Sequence, residues 1–309
     1  MSSDKQKGPP GPGYLSLADL PAELQANALH TLACPVIAII PDGKQLGSGV
    51  LVEVDEVSGI LTAEHVVSSK EFRQAKGLWT IPHIYSAESV KEKTAHFSAT
   101  NIRMDLLRCF PETPRSENEE WGPDLAFIRI PRNTNFESSL RAVRINFYAF
   151  AHDPQTRLER ALDKSKTLLA IAGAPVEMAK DVSPTKTDKR GIIEFPVFLA
   201  PSFKYRKKKN GYDYFDVPVD RELGVRVPNF FNGVSGGAIW RLVNLFEQDP
   251  AKQELKSSDY VLAGIAFYQG FENFRVKFIR GQGPRSLYEK FLPELRKWLK
   301  QPGQVQDSA

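Results

Sequence analysis

From Val36 to Ile279 short apolar runs alternate with clusters of Gly, Pro, Asn, Asp and Ser, about every ten positions. Val36–Ile40 stops at Pro41-Asp42-Gly43. Gly47–Val54 is followed by the turn Val57-Ser58-Gly59 and then by Ile60–Val67. Thr94–Arg103 is a weaker strand pattern. Leu125–Ile130 is a clear one, opened by Asp124 and closed by Pro131. Later runs are Thr167–Pro175, Ile192–Ala200, Ala238–Val243, Tyr260–Phe267 and Phe274–Ile279. Asn210-Gly211 is a hairpin dipeptide. Helical spacing dominates only near the two ends. Leu17–His30 has Asp19 as N-cap, Pro21 in the first turn and Leu20, Leu24 and Leu29 on one face. Pro284–Lys300 repeats Leu287, Phe291, Leu292, Leu295, Trp298 and Leu299 on one face.

The pattern predicts an all-β fold in two strand-rich halves, a barrel or sandwich type, with a short N-terminal helix and a C-terminal helix. Residues 1–16 form a tail of low apolar content. Residues 17–150 carry the N-terminal helix and the first half. Residues 151–282 carry a linker, helical around Thr156–Leu162, and the second half. Residues 283–300 are the C-terminal helix, and 301–309 a second tail.

Composition narrows the class. The chain has 309 residues, 41% hydrophobic and 25% charged, enough for a sizeable core. Its 41 basic residues nearly balance 37 acidic ones, for a net charge of +4. A nucleic-acid partner is therefore not expected. The basic run Lys204–Lys209 reads first as a solvated hairpin tip and second as a patch for nucleic acid or an acidic partner. Two cysteines, Cys34 and Cys109, make no disulfide framework. The start has no apolar signal core, and no run approaches a membrane span. These features predict a cytoplasmic protein without a membrane partner. Gly47-Ser48-Gly49 lacks the ending of a phosphate loop, so it reads as a close backbone approach. No cofactor or metal is expected.

Candidate chemistry centres on Phe231-Asn-Gly-Val-Ser-Gly-Gly-Ala-Ile-Trp240. Glycines on both sides of Ser235 allow a sharp turn. Such a turn can aim a hydroxyl and nearby N–H groups at one point, as acyl transfer requires. By itself the motif is equally consistent with an ordinary tight turn. A serine nucleophile needs a base. Of the five histidines, His30, His83, His96 and His152 read as structural or exposed. His65 follows the apolar run Ile60-Leu-Thr-Ala63, a rigid element on which a site can be built. Asp124, abutting Leu125–Ile130, is the candidate to orient it, with Asp105 as competitor.

Four blocks, Gly47-Ser-Gly-Val-Leu-Val52, Leu61-Thr-Ala-Glu-His-Val-Val67, Asp124–Ile130 and Asn232-Gly-Val-Ser-Gly-Gly-Ala238, together resemble the trypsin-like (chymotrypsin-fold) serine peptidases. The resemblance covers roughly residues 33–280. It is closest to the disulfide-free intracellular bacterial and high-temperature-requirement-type members, and the order His, Asp, Ser is the family's. It implies two six-stranded antiparallel β-barrels with the site between them. It implies His65 as base and then acid, Asp124 as its support and Ser235 as nucleophile. It implies Gly233 and Ser235 N–H groups as the oxyanion hole. It further implies that Ala266, Phe267 and Tyr268 offer backbone pairing to a peptide or protein substrate.

Three positions depart from the family pattern. Glu64 stands where a small residue is usual. It either raises the pKa of the neighbouring base or points to solvent. Val234 replaces the aspartate used by members activated through a freed N-terminus, so that switch is not expected. No carboxylate lies between Pro228 and Val234, so trypsin's basic preference is unsupported, and Phe230, Phe231 and Phe267 suggest an apolar pocket. Without a recognisable regulatory module, a protein effector and low basal activity are expected. The alternative reading is a catalytically silent protease-fold module that binds a peptide or protein.

Overall fold

The computed structural model describes residues 32, 36–40, 45–81, 83–84, 96–97, 100–113, 123–132, 134–135, 137–138, 147–163, 168–181, 191–193, 197–200, 203–209, 211–219, 228–243 and 258–301. The helix expected over Leu17–His30 and most of the acidic stretch after Pro111 lie outside these residues.

The fold is mainly β. A four-stranded sheet runs, in spatial order, Gln45–Ser48, Val36–Ile40, Gly77–Ile81 and Thr100–Arg103. A five-stranded sheet runs Tyr148–Ala149, Val50–Val54, Val57–Thr62, Ala126–Arg129 and Arg108–Phe110. A seven-stranded sheet runs Val197–Ala200, Leu168–Ala172, Ala238–Leu242, Tyr260–Glu272, Arg275–Gln282, Tyr212–Pro218 and Lys204–Lys209. Among the described residues none of these sheets closes into a barrel. Pairing is antiparallel except between Tyr148–Ala149 and Val50–Val54.

The near-continuous apolar runs have a direct cause. Successive side chains of a strand face opposite ways, and here both faces are covered. Val50, Val52 and Val54 enter one buried cluster while Leu51 enters the other. Leu61 and Phe127 likewise take one side, and Ile60, Ala126 and Ile128 the other. The first cluster also contains Ile171, Trp240 and Leu262, so strands from both halves of the chain share it. Tyr214 and Phe267 carry the later half into the second cluster.

The C-terminal helix begins with a wide-turn segment, Ser286–Phe291, and continues as α-helix Leu292–Leu299. Leu287, Phe291, Leu292, Leu295 and Trp298 are the buried stripe that the spacing predicted. Asp213, itself buried, accepts the Ser286 N–H at 2.6 Å and so anchors the first turn to the seven-stranded sheet. The linker helix is Pro154–Leu162, capped by Asp153, whose carboxylate accepts the Thr156 N–H at 3.3 Å.

One local assignment changes. The run Ile60–Val67 reads as a single strand, but the strand ends at Thr62 and Glu64–Ser68 is a short helix. The β-branched pair Val66-Val67 misleads because propensity is a weak prior. What turns the chain is tertiary: the Asp124 carboxylate accepts the His65 backbone N–H at 2.9 Å. The turn also buries Glu64 (1% exposed), so its carboxyl does not point to solvent.

Candidate active site

His65 sits on the first turn after the strand Val57–Thr62. Asp124 lies just before the neighbouring strand Ala126–Arg129, and Ala126 pairs with Thr62 across that ladder. This register brings the two residues together. Asp124 Oδ2 meets His65 Nδ1 at 2.5 Å, while Oδ1 holds the same residue's backbone N–H. The carboxylate thus fixes both the position and the ring orientation of His65. Its side chain is 0% exposed, whereas the imidazole is 37% exposed. The acid is sealed and the base is reachable. Burial, with the Asp124 charge as a minor contributor, pushes the Tyr214 phenol up to about 12.

Asp105, the competing acid, is on the surface. It pairs with Arg103 at 2.5 Å, and that guanidinium holds its carboxyl below the ordinary range. It takes no part in the site.

Ser235 arrives from the other half of the chain. Its loop is tied down on three sides. Gly236 N–H donates to the Ala266 carbonyl at 2.7 Å and Ala266 N–H to Gly237 at 2.9 Å. Ser48 N–H donates to the Ser235 carbonyl at 2.8 Å, and Ser48 Oγ donates to the Gly233 carbonyl at 2.7 Å. Gly236 has φ +87°, and a Cβ there would collide with Thr62 and the Ser48 carbonyl, so only glycine fits. The glycine that framed the serine in the sequence is therefore required by contact with strands nearly two hundred residues away.

Gly233, at φ +91°, sets the direction of its own N–H. The Asn232 carbonyl accepts the Val176 N–H at 2.8 Å. Across a trans peptide the following N–H points opposite to that carbonyl. Gly233 N–H is thus aimed away from Val176. Among the described residues neither it nor Ser235 N–H donates a hydrogen bond.

His65 and Ser235 line one cleft of about 350 Å³, with Phe231, Gly233, Ala266, Phe267, Tyr268, Gln269, Phe271 and Ile279 among its walls. Ser235 Oγ makes no hydrogen bond to a described residue. Phe231 and Phe267 are where the apolar reading placed them, whereas Phe230 is 45% exposed and not in the wall. Ala266 lines the cleft as well. Its N–H and C=O are already bonded to Gly237 and Gly236. Phe267 and Tyr268, which follow it, line the cleft, and Tyr268 pairs with Arg280 in the sheet.

Three supporting residues escaped the sequence. Ser48 Oγ, besides donating to Gly233, accepts the Ala174 N–H at 2.9 Å, and Ser48 is 0% exposed. Gln45 Nε2 donates to the Ala174 carbonyl at 2.5 Å. Gln269 accepts the Phe231 N–H at 2.8 Å and donates to Asn232 Oδ1 at 2.7 Å. The only available signal was the Gly-Ser-Gly context of Ser48, which announces close approach but not its partner. Ser48→Ala leaves the Ala174 N–H without its buried partner and the Gly233 carbonyl with only the long 3.4 Å bond from Gln45 Nε2. We expect a stability loss of about 1–3 kcal/mol in urea unfolding. An unchanged unfolding midpoint would show that the hydroxyl does not brace the loop.

No protein-family model matches the chain, and a search of curated proteins finds no match. Among the described residues no helix is long and apolar enough to cross a membrane, and no three His, Cys, Asp or Glu side chains are grouped to hold a metal.

Proposed function

We propose that this protein is a serine endopeptidase of the trypsin-like class, acting on protein substrates through His65, Asp124 and Ser235. The observation that carries this reading is the Asp124-bound imidazole of His65 on the same cleft as Ser235. Its chemistry follows from the atoms present. Ser235 Oγ, rotated toward His65, loses its proton to Nε2 as it attacks the scissile carbonyl. Asp124 keeps the Nδ1 proton in place and stabilises the imidazolium. The N–H groups of Gly233 and Ser235, which bond to no described residue, receive the oxyanion. His65 then protonates the leaving amine, and water repeats the sequence on the acyl-enzyme. The double-barrel arrangement, with the cleft between halves, is part of the same proposal, as is a cytoplasmic location.

An oxyanion loop braced by Ser48, Gln269 and Val176 favours a site already set rather than one awaiting an effector. A regulator would then act on access to the cleft.

The walls also set the preference for the residue preceding the cut. Phe231, Ala266 and Ile279 are buried apolar residues, and Gln269 and Asn232 are bonded to each other. The named walls hold no Asp, Glu, Lys or Arg to meet a charge; His65 and Tyr268 are their titratable groups. Burying an apolar side chain there contributes about 1.5–3 kcal/mol. Burying an unpaired ammonium or carboxylate costs several kcal/mol. A panel of fluorogenic peptides differing at that residue tests both reaction and preference. Leu or Phe substrates are expected to exceed Lys, Arg, Asp or Glu by about 10²-fold in kcat/KM. Hydrolysis of the Lys or Arg members ahead of the rest would reject the apolar site.

A further inference from the structure

The hairpin formed by Tyr260–Glu272 and Arg275–Gln282 ends in an unusual turn. Glu272 pairs with Arg275, so Asn273 and Phe274 form a two-residue loop. Both are left-handed, at φ 51° and 61°. This conformation suits asparagine and glycine. A bulky residue in the second position is disfavoured by its own backbone. Phe274 is also 94% exposed, so solvation disfavours it as well. Neither local structure nor burial accounts for a phenylalanine at this position.

Its surroundings do. Five large apolar side chains are exposed among the described residues: Leu106, Val176, Phe230, Phe271 and Phe274. Val176, Phe230 and Phe271 lie on segments bordering the cleft, and Phe274 is in the turn reached three residues after Phe271. Phe271 forms part of the cleft wall and packs on Phe230 with ring centroids 6.1 Å apart. Glu177, next to Val176, accepts the N–H groups of Asn229 and Phe230 and so joins these segments at one rim. Beside the turn Lys277 is bound to Glu272 at 3.0 Å, and Arg275 leaves one net positive charge.

We propose that Phe274, Phe271, Phe230 and Val176 form an exosite for apolar side chains of an unfolded polypeptide. The proposal deepens the peptidase reading and rests on it for the path of the chain through the cleft. The occupant follows from continuity. Phe271 belongs both to the wall beside Ser235 and to the exposed rim, so a chain lying in the cleft runs on over the aromatics. Extended, unfolded segments present Leu, Ile and Phe to such a rim. Native globular surfaces rarely offer contiguous apolar patches.

The test is binding without turnover, in the Ser235→Ala background, read by anisotropy of fluorescein-labelled casein. Adding Phe274→Gly relieves the left-handed strain, so Tm is expected to rise by about 2 °C. Casein affinity is nevertheless expected to fall about tenfold. Weaker binding by a more stable protein cannot come from misfolding. Equal affinity in the two proteins overturns the exosite. If sedimentation instead shows self-association lost in Phe274→Gly with casein binding unchanged, the rim belongs to a second copy of this chain and the proposal is overturned. Fluorophosphonate reaction of the wild-type protein reports the peptidase reading separately. Absent reaction with Phe274-dependent casein binding would remove the peptidase and keep the binding surface.

Discussion

Ser235→Ala is expected to reduce peptide hydrolysis by about 10⁶-fold in kcat, the scale seen when a serine nucleophile is removed. The fold should not notice the change. The loop is held by backbone groups, through Ser48 N–H on the Ser235 carbonyl and the Gly236 and Gly237 bonds to Ala266. The Oγ contributes no hydrogen bond to a described residue. Urea unfolding of the variant should therefore match the wild type within about 0.5 kcal/mol. Substrate affinity should remain, because the apolar walls and the cleft residues Phe267 and Tyr268 are untouched. Residual hydrolysis within tenfold of wild type would mean that another group performs the reaction.

Asp124→Asn is expected to cost about 10⁴-fold in kcat. In the wild type one carboxylate oxygen accepts the His65 backbone N–H and the other faces Nδ1. An asparagine has only one accepting oxygen. If that oxygen keeps the backbone N–H, its NH₂ turns toward Nδ1. The imidazole proton then moves to Nε2, and the ring can no longer take the serine proton. ¹⁵N NMR of the His65 ring reads this tautomer directly and separates the effect from unfolding. A variant with normal kcat, or with the Nδ1 tautomer retained, would detach Asp124 from the mechanism.

The sequence made parts of this site readable for specific reasons. The strands bearing Ile60, Leu61, Phe127 and Ile128 are short apolar runs with turn residues between, and their registry brings Asp124 to His65. The stripe Leu287, Phe291, Leu295 and Trp298 repeats at helical spacing and is buried as such. Other features depend on contacts distant in the chain. Ser48 looks like any small residue between glycines until it meets the Gly233 carbonyl. The helix over Glu64–Ser68 contradicts a β-branched pattern because Asp124 captures the His65 N–H. The orientation of Gly233 N–H depends on Val176, in a segment whose sequence gives no hint of that role. Phe274 reads as the first residue of a strand, but the pairing of Glu272 with Arg275 places it in the turn.

The central claim is that Ser235 is a nucleophile activated by the Asp124-held His65 on a loop already set for catalysis. Intact mass and peptide mapping after treatment with a fluorophosphonate test this most directly, on the purified protein without any added partner. The expected result is one adduct per chain, on Ser235, lost in His65→Ala. No adduct, or an adduct on another residue, would contradict the account and leave a cleft that binds without cutting.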